Sequence, residues 1–154
     1  KMSEQVVFLE QELKIVEDYI YIQKMRFGGR IRYEKDLPED IRDIQIPSFT
    51  LQPLVENAVV HGISKKDMGG RIHLRVWRQD GDVRITVADT GAGMTEEQLV
   101  DIRNAVKERR TAKVGIGLGN IYKRVHIMYE HGDVQIYSKK GCGTVILMKI
   151  PQKA

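Results

Sequence analysis

The chain has 154 residues, 42% apolar and 30% charged, with a formal net charge of +4, proportions that suit one domain with a real core and exclude a low-complexity chain. The mild basic surplus could serve a polyanionic ligand, but most often such a surplus is solvated surface, and no nucleic-acid partner is expected. The single cysteine, Cys142, rules out an internal disulfide framework and a cysteine metal cluster, and no run of about 18 apolar residues exists to span a membrane.

From Met2 to Phe27 apolar residues recur at alternating four- and three-residue steps: Met2, Val6, Leu9, Leu13, Val16, Ile20, then Gln23 as a polar break, then Phe27. That is a heptad seam and predicts a helix over the whole stretch. A second line, Phe8, Ile15 and Ile22, widens the apolar surface. Two readings stand: an ordinary core helix, or one that joins a helical bundle to a globular domain. Gly28-Gly29 stops it. Ile31 and Tyr33 suggest a strand, and Leu37-Pro38-Glu39-Asp40 a turn. A second helix comes after Pro47 over about Thr50 to His61, with the stripe Leu51, Leu54, Val55, Ala58, Val59. A loop holding Lys65, Lys66 and Gly69-Gly70 leads to the strand Ile72, Leu74, Val76. Asp80-Gly81 predicts a hairpin into the strand Val83–Asp89. After a charged segment comes a third helix, Leu118 to about Tyr129. The strands Val134–Ser138 and Thr144–Ile150, joined through Gly141 and Gly143, complete the chain, with Pro151 ending the sheet. These elements predict an α/β two-layer sandwich, a mixed and largely antiparallel sheet with helices on one face.

Two glycine signatures carry the chemistry. Asp89-Thr90-Gly91-Ala92-Gly93-Met94 ends the alternating strand Val83, Ile85, Val87, and Gly115-Ile116-Gly117-Leu118-Gly119 opens the third helix. A carboxylate at a strand end can accept from an adenine amino group, while glycines at a helix start expose N–H groups that favour phosphate. On the second helix Asn57 and His61 are four apart and share one edge. Asn57 reads either as a surface or capping amide, or as an oxygen ligand for a hard cation such as magnesium.

In the order Asn57, Asp89-x-Gly-x-Gly, Gly115-x-Gly-x-Gly, the chain resembles the ATP-binding catalytic domain of sensor histidine kinases, within the Bergerat-fold ATPase and kinase superfamily. Leu51 to Gly62 looks like that family's N box, Asp89–Met94 its first glycine box and Gly115–Asn120 its second. Ile20 to Gly28, together with Gln52-Pro53-Leu54-Val55-Glu56-Asn57, resembles the LytS and YesM branch. The resemblance implies that the chain binds Mg-ATP. Asp89 would accept from the adenine amino group, Gly91 and Gly93 would let the backbone pass close to the base, and Met94 would close that box. Asn57 would hold Mg2+. Gly115, Gly117, Leu118 and Gly119 would shape the hinge and helix start against the phosphates, with His61 nearby. Thr144 would help hold the adenine. Thr95 to Val114 would be a mobile lid over ATP, where Lys107, Arg109, Arg110 and Lys113 are either phosphate contacts or solvated surface.

Two departures from the family matter. Many histidine kinases carry lysine or arginine three residues after the N-box asparagine, where this chain has Val60. Gyrase-like and chaperone ATPases place a water-activating glutamate four residues before it, where this chain has Pro53, which cannot act as a base. Glu56 is the nearest carboxylate but points elsewhere on the helix. Phosphoryl donation is therefore expected rather than hydrolysis. Of the four histidines, His61 belongs to the N box, His73 alternates along a strand, and His131 precedes a turn glycine. His126 has no adjacent acidic residue to orient it. None resembles the family's acceptor motif. The expectation is that residues 1–28 connect to an upstream histidine-bearing dimerisation domain, residues 29–154 form the ATP-binding domain, and this chain alone is incompetent for autophosphorylation. The phosphoryl would pass on to a response regulator. A homodimer is expected for the full-length protein, as is a cytoplasmic location as the cytosolic part of a membrane-anchored sensor, with no membrane contact by this chain.

Three rival readings draw on the same residues. An anti-sigma-factor-type serine kinase shares the fold, but that family keeps the glutamate that Pro53 replaces. Asp89-Thr90-Gly91 is also the active-site triplet of aspartic proteases, which predicts an almost all-β chain and leaves the N box unexplained. A pure adenine-nucleotide sensor would differ only in what is attached upstream.

Overall fold

In the computed structural model, the described residues are 5–63, 68–108 and 118–152. Met2, Lys65, Lys66, Arg109, Arg110, Lys113, Gly115 and Gly117 lie outside them. The chain begins with a short strand, β1 (Val6–Phe8), and then helix α1 (Leu9–Phe27). The helix predicted from Met2 therefore starts later than its heptad pattern suggested. Val6, Val7 and Phe8 are β-branched or aromatic and pair antiparallel with β3 (Gln45–Pro47), Val7 opposite Ile46. Phe8 closes the helix start by donating its N–H to Gln11 Oε1 at 3.0 Å. The seam residues Leu9, Leu13, Val16 and Ile20 are buried, whereas the second line is open, with Phe8, Ile15 and Ile22 at 45%, 40% and 59% exposure.

Strand β2 (Ile31–Asp36) runs parallel to β4 (Gly70–Gln79), and β4 turns through Asp80-Gly81 into β5 (Asp82–Asp89). Both turn residues have positive φ, 54° and 82°, as a two-residue hairpin requires. Strands β6 (Asp133–Lys139) and β7 (Gly143–Pro151) form the second hairpin, and β7 pairs antiparallel with β5. The sheet order is β2-β4-β5-β7-β6, mixed and mostly antiparallel, as the sequence predicts.

One sheet face is apolar: Leu74, Ile85, Ile146 and Met148 are almost wholly buried. Against it pack α1, α2 (Leu51–Asn57) with a π-helical turn (Ala58–Gly62), α3 (Glu96–Glu108) and α4 (Leu118–Met128), in one continuous core. On the other face of β5, Arg84, Thr86 and Ala88 are only half-buried. The result is two layers, helices on one side of one sheet.

Helix α3 changes the reading of the lid. Thr95 and Gln98 form a capping box: Gln98 N–H donates to Thr95 Oγ1 at 3.1 Å, and Thr95 N–H to Gln98 Oε1 at 3.0 Å. Leu99, Ile102, Ala105 and Val106 are buried on the core side. The stretch from Glu96 to Glu108 is thus a capped helix packed into the domain. Residues 109–114, the rest of the predicted lid, lie outside the described residues. The polar composition of α3 concealed an amphipathic helix with apolar positions three and four apart.

Candidate nucleotide site

Of the sequence-predicted residues, Asp89, Gly91, Gly93, Met94 and Thr144 lie together where β5 ends. Asp89 is the last residue of that strand and lies directly opposite Thr144 on β7. Cross-strand partners in an antiparallel pair have Cα atoms roughly 4.5–5.5 Å apart, so the two side chains are immediate neighbours. Asp89 Oδ1 accepts from Gly91 N–H at 2.8 Å, a local turn that bends the chain out of the sheet. Thr90 ties that bend to β4: its N–H donates to the Arg71 carbonyl at 3.1 Å, and its Oγ1 accepts from Arg71 N–H at 2.9 Å.

Two glycines are demanded by this crowding. A Cβ on Gly143, at φ +96°, would stand 1.9 Å from the Asp89 carbonyl oxygen. A Cβ on Gly93, at φ +68°, would stand 2.1 Å from the Lys139 carbonyl oxygen. Gly93 is therefore needed for the glycine loop to nest against the β6–β7 turn, where Gly141 N–H also donates to the Ala92 carbonyl at 2.6 Å. The resemblance implies a close approach to a base at this glycine; in the structure the neighbour that requires it is the Lys139 carbonyl.

Ser138 on β6 is not singled out by the sequence, and it organises the site. Its hydroxyl donates to the Gly143 carbonyl at 2.8 Å, accepts from Met94 N–H at 2.9 Å, and meets Thr144 Oγ1 at 2.8 Å. A hydroxyl has one proton and two lone pairs. With its proton on Gly143, Ser138 accepts from Thr144, which leaves the lone pairs of Thr144 as an acceptor beside the Asp89 carboxylate. Two adjacent acceptors at a half-buried strand end suit a ligand that presents an amino group. A lone serine in a strand has no spacing signal, so only its partners reveal it.

The N-box helix closes a second side. Asn57 ends α2 half-buried, and among the described residues none hydrogen-bonds its carboxamide. The π-helical turn after it carries His61 and packs on β5 and β7. Such turns recur at functional sites. Ile63, just beyond, lies beside the glycine loop: a Cβ at Gly70 would be 2.6 Å from Thr90 Oγ1 and 3.4 Å from Ile63 Cγ1. Leu118 and Gly119 are the first residues of α4, with Leu118 buried.

Other polar groups near these elements have separate duties. Val60 is half-exposed and offers no cation. Glu56 accepts from the Gln52 amide at 2.9 Å and faces α1. There the Tyr19 phenol is pushed up, chiefly by burial and then by the Glu56 charge. His126 does have an acidic neighbour, contrary to the sequence expectation: Asp133 Oδ1 lies 3.6 Å from its Nε2, brought by β6 rather than by the helix. Asp133 is at the opposite end of β6 from Ser138, about 17 Å along the strand. The pair is therefore remote from the end of β5. Among the described residues no group of three His, Cys, Asp or Glu side chains could hold a metal. A single amide oxygen fits a magnesium ion that arrives with phosphates and keeps its waters, not a metal caged by protein. The helical content excludes the almost all-β chain that an aspartic protease requires.

Comparison with known proteins agrees with the fold. The family model for histidine kinase-, DNA gyrase B-, and HSP90-like ATPases matches residues 43–154. The sensor protein kinase HptS of Staphylococcus aureus is 32% identical over 152 residues, a match that covers 98% of this chain and 29% of HptS. The chain thus spans under a third of the length of the curated relatives it matches. Among solved structures, the nucleotide-free catalytic domain of histidine kinase ThkA superposes with a TM-score of 0.69 at 19% identity, covering 97% of this chain and 99% of that one. ThkA in complex with the response regulator protein TrrA gives 0.62 at 15% identity, covering 97% of this chain and 42% of that one. At these identities the structural likeness establishes the fold alone.

Proposed function

Because the chain belongs to the histidine kinase-, DNA gyrase B-, and HSP90-like ATPase family, we propose that it binds Mg-ATP and donates the γ-phosphoryl group to a histidine on a dimerisation domain elsewhere in a longer protein. The observation that carries this reading is the pair of adjacent acceptors, Asp89 and Thr144, held against the glycine loop by Ser138. Adenine presents an amino group to such a pair, whereas guanine presents a carbonyl that two acceptors repel. Asn57 supplies the oxygen for magnesium, which neutralises phosphate charge when bound. The N-terminus of α4, preceded by Gly115 and Gly117, directs N–H groups and a positive dipole end at the phosphates. The phosphate charge left unmet by Val60 would fall to magnesium, to backbone N–H groups and to the basic residues Arg109, Arg110 and Lys113.

The residues at hand favour transfer over hydrolysis. Pro53 occupies the position of a water-activating base, and Glu56 is engaged with Gln52 on the side facing α1. Catalysis would then consist of positioning and charge neutralisation, with any base contributed by the acceptor domain. Passage of the phosphoryl to a response regulator is inferred by analogy with a neighbour solved in complex with one. In this reading α1 leads toward the dimerisation domain, the full-length protein is a homodimer, and the domain faces the cytoplasm below a membrane anchor.

The test has two arms. Asn57→Ala should remove magnesium-dependent ATP binding in a titration; undiminished affinity would contradict the metal assignment. In the longer protein, radiolabelled ATP should yield acid-labile, base-stable phosphate, the signature of phosphohistidine; acid-stable phosphate would point to a serine kinase instead.

A further inference from the structure

The N-box helix has no side-chain cap of its own. Thr50, the residue before α2, has helical backbone angles, and its hydroxyl turns back to the Pro47 carbonyl at 2.8 Å. Its place is taken from elsewhere in the chain. Glu12 of α1, only 4% exposed, accepts from three successive backbone N–H groups: Phe49 at 3.3 Å, Thr50 at 3.0 Å and Leu51 at 3.2 Å. From the other side Arg124 of α4 donates to the carbonyl oxygens of Ser48 and Phe49, the latter at 3.1 Å. The strap from Ser48 to Leu51 is thus gripped by an acid on its N–H side and a base on its carbonyl side. Its peptide dipoles lie between opposite charges, and Phe49 is held at φ +59°, a region costly for a residue with a Cβ.

The three helices joined here have different duties. The strap begins α2, which ends at Asn57 two turns later; Arg124 sits on the helix that the second glycine signature opens; Glu12 sits on the helix nearest the chain's start. We propose that Glu12 and Arg124 are positioning residues that set α2 and α4 in the arrangement the nucleotide needs, so that nucleotide binding tightens the strap and is felt at α1. Neither residue is among those assigned to the nucleotide. The inference rests on the Mg-ATP reading above. Linkage makes the effect reciprocal: whatever loosens the strap weakens nucleotide binding, and nucleotide binding protects the strap.

Hydrogen exchange of the Thr50 and Leu51 amides, measured on the chain with and without saturating Mg-ATP, tests this. Mg-ATP should slow both amides in the unmodified chain. Arg124→Met should abolish that slowing and weaken Mg-ATP binding by about five-fold or more, the lower end of ordinary coupling between sites. Arg124→Lys, which keeps the charge, should restore part of the slowing. Amides indifferent to nucleotide, a slowing that survives Arg124→Met, or no recovery with lysine would each overturn the proposal. The measurement on the unmodified chain stands even where a variant does not fold. A chain that binds no Mg-ATP overturns the nucleotide reading itself; one that binds it while the strap amides stay unchanged overturns only the coupling.

Discussion

Ser138 shows how a single hydroxyl can hold two elements of a site together. Replacing it with alanine orphans the Met94 N–H and frees Thr144 to turn away from Asp89. An unsatisfied buried donor costs about 1–3 kcal/mol, so Ser138→Ala should lose stability on that scale in urea denaturation and bind ATP more weakly. Tyr33 presents the opposite case. Its hydroxyl is buried and among the described residues has no partner. Burial, with the Glu17 charge second, pushes its phenol up to about 12. A raised folded-state value means that the native state keeps the proton longer than the unfolded chain. Its contribution is intact below about pH 10, the ordinary tyrosine value, and is lost as pH rises toward about 12. Tyr33→Phe should therefore shift the alkaline unfolding midpoint, monitored by circular dichroism, to higher pH without loss of stability at pH 7. A midpoint unchanged by this substitution would contradict the burial of that hydroxyl.

At the scale of elements, the strands were legible because alternation such as Val83, Ile85, Val87 reports one buried face directly. The hairpin at Asp80-Gly81 was legible because few residues tolerate two positive φ angles. Three features were not. The heptad pattern ran through Val6 to Phe8, yet pairing with β3 outweighed helical spacing there. The π-helical turn after Asn57 preserves the apolar stripe closely enough that spacing does not betray it. Helix α3 reads as lid from its charged surface, although Thr95 and Gln98 at capping-box spacing mark its start. That cap supplies a direct check: Thr95→Ala should cost about 1 kcal/mol of stability, read as a drop of about 2–4 °C in melting temperature for a domain of this size. An unchanged melting temperature would show that packing, not the cap, anchors α3.

Across the whole molecule, the candidate site was legible where it depends on local motifs and hidden where it depends on contacts between distant segments. Asp89, Gly91, Gly93, Met94 and Thr144 lie together at the end of β5, and Asn57 and His61 lie on α2 and the turn after it, which packs on β5 and β7. Glu12, Ser138 and Arg124 emerged only from the fold, since each bonds backbone groups between 38 and 76 positions away. One claim stands above the rest, that the end of β5 is an adenine pocket. Calorimetric titration with Mg-ATP and Mg-GTP, on the unmodified chain and on Asp89→Asn, tests it most directly. The prediction is saturable binding of ATP, at least about ten-fold weaker binding of GTP, and loss of that preference in Asp89→Asn, a difference of about 1.4 kcal/mol or more. Equal affinity for the two nucleotides, or ATP binding untouched by Asp89→Asn, would contradict it.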